Sequence, residues 1–386
     1  MKRLPPAFSR RLASGMLALA AGLVPGGSWA AGAASASVLS AASAASAAST
    51  ASAASAGLAA PPAPIKLRII GGLASLNQYT RHEEPFWTRT LPGLTNGTVQ
   101  AEIVPFDRAG ICGQDMLRLL HLGAVPFGNV PVSLAAVQEP LLGAVDLPGL
   151  NPDIDSLRRT VAAIRPVLQA HLRDKLGIEL LAIYAYPAQV LFCNKAFAWL
   201  GDLRGRRVRV SSAPMADLVE ALRAAPVLTT FAEVVPKMKS GAIDCAITGT
   251  MSGNTVGLHR LASHLHPMAI SWGVSVFAAN GAAWAALPPA LRQLIQAQLV
   301  PLERAIWDEA DRETGEGLAC NRGDAGCTQG QRGQMTVLPG TPADRQRLRE
   351  LLVSVVLPRW LGRCGPGCAE TWNATLAPAA GLRATP

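Results

Sequence analysis

The sequence predicts an α/β protein with largely parallel sheets. Two observations carry that expectation. Short apolar runs alternate along the chain with longer segments whose apolar residues recur at helical spacing. Strand and helix taking turns in this way is the pattern of sheets covered by crossover helices. A third feature gives the sheet a point of chemistry. In Arg204-Gly205-Arg206-Arg207-Val208-Arg209-Val210 a basic turn feeds an apolar strand that carries a cation.

In chain order, residues 66–70 form an apolar strand and 99–106 an alternating one. Residues 79–91 form a helix with Phe86 and Trp87 inward, and 114–122 a short helix with Met116, Leu119 and Leu120 inward. Residues 154–176 place Leu157, Val161, Ile164, Leu168 and Leu172 on one helical face, with Pro166 inside the run. Strands follow at 178–186, 190–194 and 208–210, helices at 216–224 and 231–240, and strands at 242–247 and 273–279. A long helix starts at Pro288 and runs to about Glu313, bent near Pro301, and a last helix covers 343–360.

The N-terminus stands outside this pattern. Lys2, Arg3, Arg10 and Arg11 precede a small-residue apolar stretch over 12–24, broken by Pro25, Gly26 and Gly27. Ser28-Trp29-Ala30 offers small residues for a cut after Ala30, so 1–30 reads as a signal peptide and the address as periplasmic. The stretch is too short to span a bilayer. Ser9-Arg10-Arg11 leaves general and twin-arginine export both open. The first cysteine is Cys112, far from the cut, which argues against a lipid anchor. Residues 31–64 are Ala-Ser repeats ending in Pro61-Pro62-Ala63-Pro64; without charge or large apolar side chains they read as a disordered linker.

The chain holds 35 Lys and Arg against 26 Asp and Glu, and removal of the signal lowers the excess from nine to five. The bases are scattered and lack aromatic interleaving, which argues against nucleic acid. Seven cysteines in an exported chain are disulfide candidates. Cys320 and Cys327 bracket a glycine-rich loop, Cys364 and Cys368 bracket Gly365-Pro366-Gly367, and local pairing is the simplest of three connectivities. Their spacing is not that of zinc ribbons. Cys112, Cys193 and Cys245 sit in apolar surroundings and read as buried small hydrophobes.

Catalytic signatures are missing from the sequence. Gly249-Thr250-Met251-Ser252-Gly253-Asn254 lacks the ending of a phosphate loop and reads as a structural turn. There is no Gly-x-Ser-x-Gly elbow. His259, His264 and His266 lie close together without an interleaved carboxylate, so no metal and no cofactor is expected. Arg209 is different. Val208 and Val210 should face the core, which turns Arg209 to the other face at a strand end, the ligand edge of an open α/β sheet. Two readings stand side by side: a ligand-holding cation, or a surface ion pair with Asp244.

Residues 202–210, then Phe231-Ala232-Glu233-Val234 and Gly241-Ala242-Ile243-Asp244, resemble the central signature of TRAP transporter solute-binding proteins, the DctP family. The likeness continues through Val276-Phe277-Ala278-Ala279-Asn280 with Trp284 and Leu287-Pro288, and includes the 110–123 stretch. It implies a two-lobed periplasmic binding protein fold with crossing strands and a long lobe-spanning helix, closing on a small organic acid for TRAP permease membrane subunits. Lobe I would be 65–186 with 274–313. Lobe II would be 187–273 with 314–386, its cysteine-rich tail being an extension outside the family pattern. Arg209 matches the arginine that pairs with the ligand carboxylate. Gln189 stands where some members have a second arginine, and Thr248 where some have an asparagine. With those departures Arg209 is the lone cation, which points to a monocarboxylate. Trp272 reads as covering the ligand or packing the hinge, Asn77 as a cleft-facing neutral donor, and Glu233 as bonding across the lobe. The alternatives are a periplasmic hydrolase and a ligand-sensing module for a membrane receptor.

Overall fold

The computed structural model describes residues 64–385. The signal peptide expected over 1–30, and the linker expected over 31–64 except for Pro64, lie outside the described residues. Eleven strands follow in order: β1 (Ile65–Gly71), β2 (Val99–Pro105), β3 (Phe127–Pro131), β4 (Ile178–Ala185), β5 (Gln189–Cys193), β6 (Arg207–Val210), β7 (Ala225–Leu228), β8 (Cys245–Gly249), β9 (His264–Ser271), β10 (Val274–Asn280) and β11 (Thr336–Val337).

They form two sheets, ordered β2-β1-β3-β10-β4 and β11-β9-β5-β8-β6-β7. In the first, β1 runs parallel to β2 and β3, while β10 is antiparallel to β3 and β4. In the second, β6 is parallel to β7 and β8, and β5 is antiparallel to β8 and β9. The sheets are therefore mixed, with a parallel trio at one side of each (β2-β1-β3 and β8-β6-β7) beside antiparallel pairs, where the sequence predicts mainly parallel ones.

The chain passes between the sheets twice. β4 leads through Tyr186-Pro187-Ala188 into β5, and β9 leads through Trp272-Gly273 into β10. The Tyr186 N–H donates to the Gly273 carbonyl at 2.9 Å, which ties the crossings together. Gly273 holds φ +86°, a conformation that a side chain strains, and a Cβ there would also press on the Gln189 amide.

The helix Pro289–Arg322 has 34 residues, so it extends roughly 50 Å. It passes Pro301 and overruns its expected end near Glu313. Its first half lies on the first sheet, where the Trp307 indole N–H donates to the Ile183 carbonyl at 2.8 Å. Its second half packs on the helix Thr250–Thr255 of the second sheet, where the Thr250 hydroxyl donates to the Glu313 carbonyl at 2.9 Å. Gly317, a residue that reads as a helix breaker, permits this contact, because a Cβ there would run into the Met251 backbone nitrogen.

Several expectations are corrected. The glycine-rich 249–254 stretch is not a turn; Gly249 starts the buried helix Thr250–Thr255. His264 and His266 lie on β9, and buried His266 has a carboxylate partner that the local sequence did not show, Asp344, with Nε2–Oδ2 3.3 Å. Cys193 and Cys245 are buried but not free. β5 and β8 place them opposite each other, and they form a disulfide with Cα–Cα 4.1 Å. Cys112 is exposed. Cys320–Cys327 and Cys364–Cys368 are bonded as local pairs. Glu233 accepts from the nearby Thr230 hydroxyl at 3.0 Å instead of bonding across the lobe.

The expected helix 343–360 continues from Pro342 to Cys364 with a wider turn at Leu352–Val356, and another helix, Cys368–Ala380, follows. These tail helices do not extend one lobe alone. The last packs on the Ile154–Leu176 helix, while 352–356 packs on Ala213–Ala221 behind β6. Trp360 adds a bond from its indole N–H to the Pro140 carbonyl at 2.9 Å.

Candidate functional site

Between the two sheets lies a cleft of about 320 Å³. The second sheet contributes the C-terminal ends of β6, β7 and β8, where parallel strands direct their loops to a ligand. The first contributes the segments after β1, β2 and β3, and the crossings contribute Tyr186, Gln189 and Gly273.

Arg209 is the cation at the centre of this wall. Val208 and Val210 pack inward as expected, yet Arg209 is itself only 4 % exposed. Its Nε donates to the Thr229 carbonyl at 3.0 Å and its Nη1 to the Ile247 carbonyl at 2.7 Å. These neutral acceptors hold the guanidinium in place without balancing its charge, and burial pulls its pKa down to about 10. Among the described residues no carboxylate forms an ion pair with it. The alternative partner, Asp244, is taken by Arg207: Nη2 reaches Oδ1 at 2.8 Å and Nε reaches Oδ2 at 3.0 Å. The two arginines share one strand face, but Arg207 stands at its exposed start and Arg209 at its buried end.

Gln189 and Thr248 line the same cleft. The Gln189 amide donates to the Pro187 carbonyl at 3.1 Å, and Thr248 is 2 % exposed. Trp272 and Asn77 do not line it. The Trp272 indole N–H donates to the Asn151 carbonyl at 2.9 Å, and the ring borders a separate cavity of about 1040 Å³ with Gly149 and Asn151. The ring lies beside the crossing that leads from β9 to β10. Asn77 turns away and donates to Glu313 at 2.6 Å.

Sequence reasoning missed Thr229, Asp146, Tyr186 and Cys112, all of which line the cleft. Thr229 follows β7, a strand hidden by its shortness and its Pro226. Its hydroxyl is buried without a hydrogen-bond partner. Asp146 accepts from the backbone N–H groups of Trp272 at 2.6 Å and Gly273 at 3.0 Å, yet burial still lifts its pKa to about 7. Burial also raises the Tyr186 pKa, with the Glu83 carboxylate adding to the effect, so Tyr186 is a neutral phenol at the hinge.

A cleft between two sheets joined by crossing strands, with a buried cation in its wall, is a geometry that can enclose a small anionic solute. The family model for bacterial extracellular solute-binding protein, family 7 (DctP) matches residues 75–356, and the chain belongs to that family. No curated protein matches it. Solved structures with the same two-lobed fold include a Bordetella pertussis extracytoplasmic solute receptor binding pyroglutamic acid, at 22 % identity and TM-score 0.72 over 80 % of this chain and 98 % of that one. A Desulfovibrio salexigens TRAP periplasmic solute-binding protein with bound orotic acid matches at 17 % identity and TM-score 0.71, covering 79 % and 96 %. One from Shewanella oneidensis with bound succinate matches at 20 % identity and TM-score 0.69, covering 82 % and 99 %.

Proposed function

We propose that this receptor captures a small monocarboxylate in the periplasm by closing its two lobes, and delivers it to TRAP permease membrane subunits without making or breaking a bond. The observation that carries the reading is Arg209, a buried guanidinium without an acid partner, at the ligand edge of a parallel sheet and in the wall of a cleft. A carboxylate completes it with a charge-assisted, bidentate bond. Such a bond is worth about 1.5–3 kcal/mol, or roughly ten- to a hundred-fold in Kd.

Gln189, Thr248 and Thr229 supply neutral bonds around the anion. The lobe bodies, taken as 65–186 with 274–313 and 187–273, rotate about the two crossings, and ligand contacts made in the closed form drive the closure. Export through residues 1–30 accounts for the location. The similar structures contain carboxylic acids of several kinds, and the presence of one cation in this cleft favours a single carboxylate.

Arg209→Met tests the anchor. In a thermal-shift screen of carboxylic acids the parent protein gains about 2.7 kcal/mol at a ligand concentration 100-fold above Kd. The variant folds with similar stability in the absence of acid and keeps only about 0.4–1.4 kcal/mol of that gain at the same ligand concentration. Equal binding by parent and variant would refute the assignment.

A further inference from the structure

We infer that the cleft selects a monocarboxylate with a bulky apolar body, such as an aryl- or branched alkyl-substituted acid, and rejects dicarboxylates and small hydroxy acids. This rests on the reading of Arg209 as the carboxylate anchor. Away from Arg209 the wall is mostly hydrocarbon: Phe106, Ile111 and Leu134 on the side of the first sheet, and Met215, Phe231 and Ala232 on the side of the second. Phe231 and Leu134 are half-buried, so part of their surface is left for a ligand to cover.

The charged groups favour the same ligand. Among the described residues, Arg209 is the only lysine or arginine lining the cleft, and the other charged residues there are Asp107 and Asp146. One Asp107 oxygen accepts from the Ala74 N–H at 3.1 Å, and Asp146 accepts from the crossing backbone. A second ligand carboxylate would lie among hydrocarbon and two acids, with no cation to meet it, which combines desolvation with like-charge repulsion. A small hydroxy acid avoids that penalty but leaves the apolar walls uncovered. An apolar body fills them, and each such pocket contact is worth roughly ten-fold or more in discrimination. A volume of about 320 Å³ stands at the small end of ligand pockets, enough for one ring or a branched chain beyond the carboxylate.

Four probes test this by calorimetric titration of the purified protein: 3-phenylpropanoate, its neutral amide, lactate and succinate. The phenyl acid should bind at least about ten-fold tighter than lactate or succinate. Phe231→Ser and Leu134→Ser, both at half-buried positions, should each weaken the phenyl acid about five-fold or more and change lactate binding less than about two-fold. Alkylation of Cys112, the one cysteine outside a disulfide and part of the cleft wall, should slow when the phenyl acid is bound. Equal or tighter binding of succinate or lactate, lost in Arg209→Met, overturns this inference and leaves the carboxylate anchor standing. Amide binding equal to that of the acid overturns the anchor as well, and so does failure of all four probes to bind.

Discussion

At Arg209 the chain buries a guanidinium against two carbonyls and leaves its charge uncompensated, an arrangement that costs stability. The residue and its strand were legible in the sequence, because Val208 and Val210 settle which way its neighbours face. That it escapes Asp244 was not legible, since the choice depends on which end of β6 lies beside the acid. Thr229 was invisible for a similar reason. Its role comes from β7 lying parallel to β6, with Val227 opposite Arg209. Thr229→Val, nearly isosteric, removes an orphaned buried hydroxyl, so the unliganded protein should melt no lower than the parent. Binding of the carboxylate should weaken by about 0.5–1.5 kcal/mol, the value of one neutral hydrogen bond. Calorimetry and a melting curve on the same variant separate the two effects.

Among elements, the strands bounded by clear turns and the helix Ile154–Leu176 were read close to their true limits, the helix being held by the Asp153–Ser156 capping box and by Gly177 at φ +61°, whereas the helix from Pro289 was read short. β3, β7, β9 and the two-residue β11 were missed. β9 carries His264, His266 and Pro267, residues that hide a strand until a neighbour supplies its ladder. The same pairing explains Cys193 and Cys245: residues 52 apart in sequence become cross-strand partners only when β5 meets β8. In the loop-closure model this bridge should contribute about 4 kcal/mol and the Cys320–Cys327 loop about 2 kcal/mol. The double substitution Cys193→Ala with Cys245→Ala should therefore lower stability in denaturant more than the double substitution at Cys320 and Cys327. The reverse order would show that the sheet holds its register without the bond.

Across the whole molecule, buried acids gather near the crossings. Glu83 accepts from the Gly72 N–H at 2.6 Å and the Asn129 amide at 2.5 Å, and Glu313 accepts from Asn77 and Gln78. Burial lifts both carboxyls, and Asp146, to about 7. An acid whose pKa is higher folded than unfolded stabilises the fold below its unfolded value, and that contribution is lost as pH rises through the folded value. For Glu83 and Glu313 the window runs from 4.5 to about 7, and for Asp146 from 3.8 to about 7. These three groups should therefore lower the stability, and with it the melting temperature, as pH rises from about 4 through about 7, each by up to about 3–4 kcal/mol. Glu313→Gln keeps one acceptor oxygen for the Asn77–Gln78 pair and cannot ionise, so melting curves across this range should flatten. An unchanged slope would mean that Glu313 is ionised throughout.

The sequence by itself determined the α/β alternation, the cation at Arg209 and the family likeness, because each is written in local spacing: apolar period, turn residues, and an ordered run of motif positions. Tertiary structure decided which residues join Arg209 and which turn away. Thr229 and Asp146 entered the cleft while Asn77 went to Glu313 and Trp272 to Asn151. That choice rests on how two sheets, two crossings and one long helix pack against one another, and contacts between residues tens to hundreds of positions apart leave no local trace for a single sequence to show.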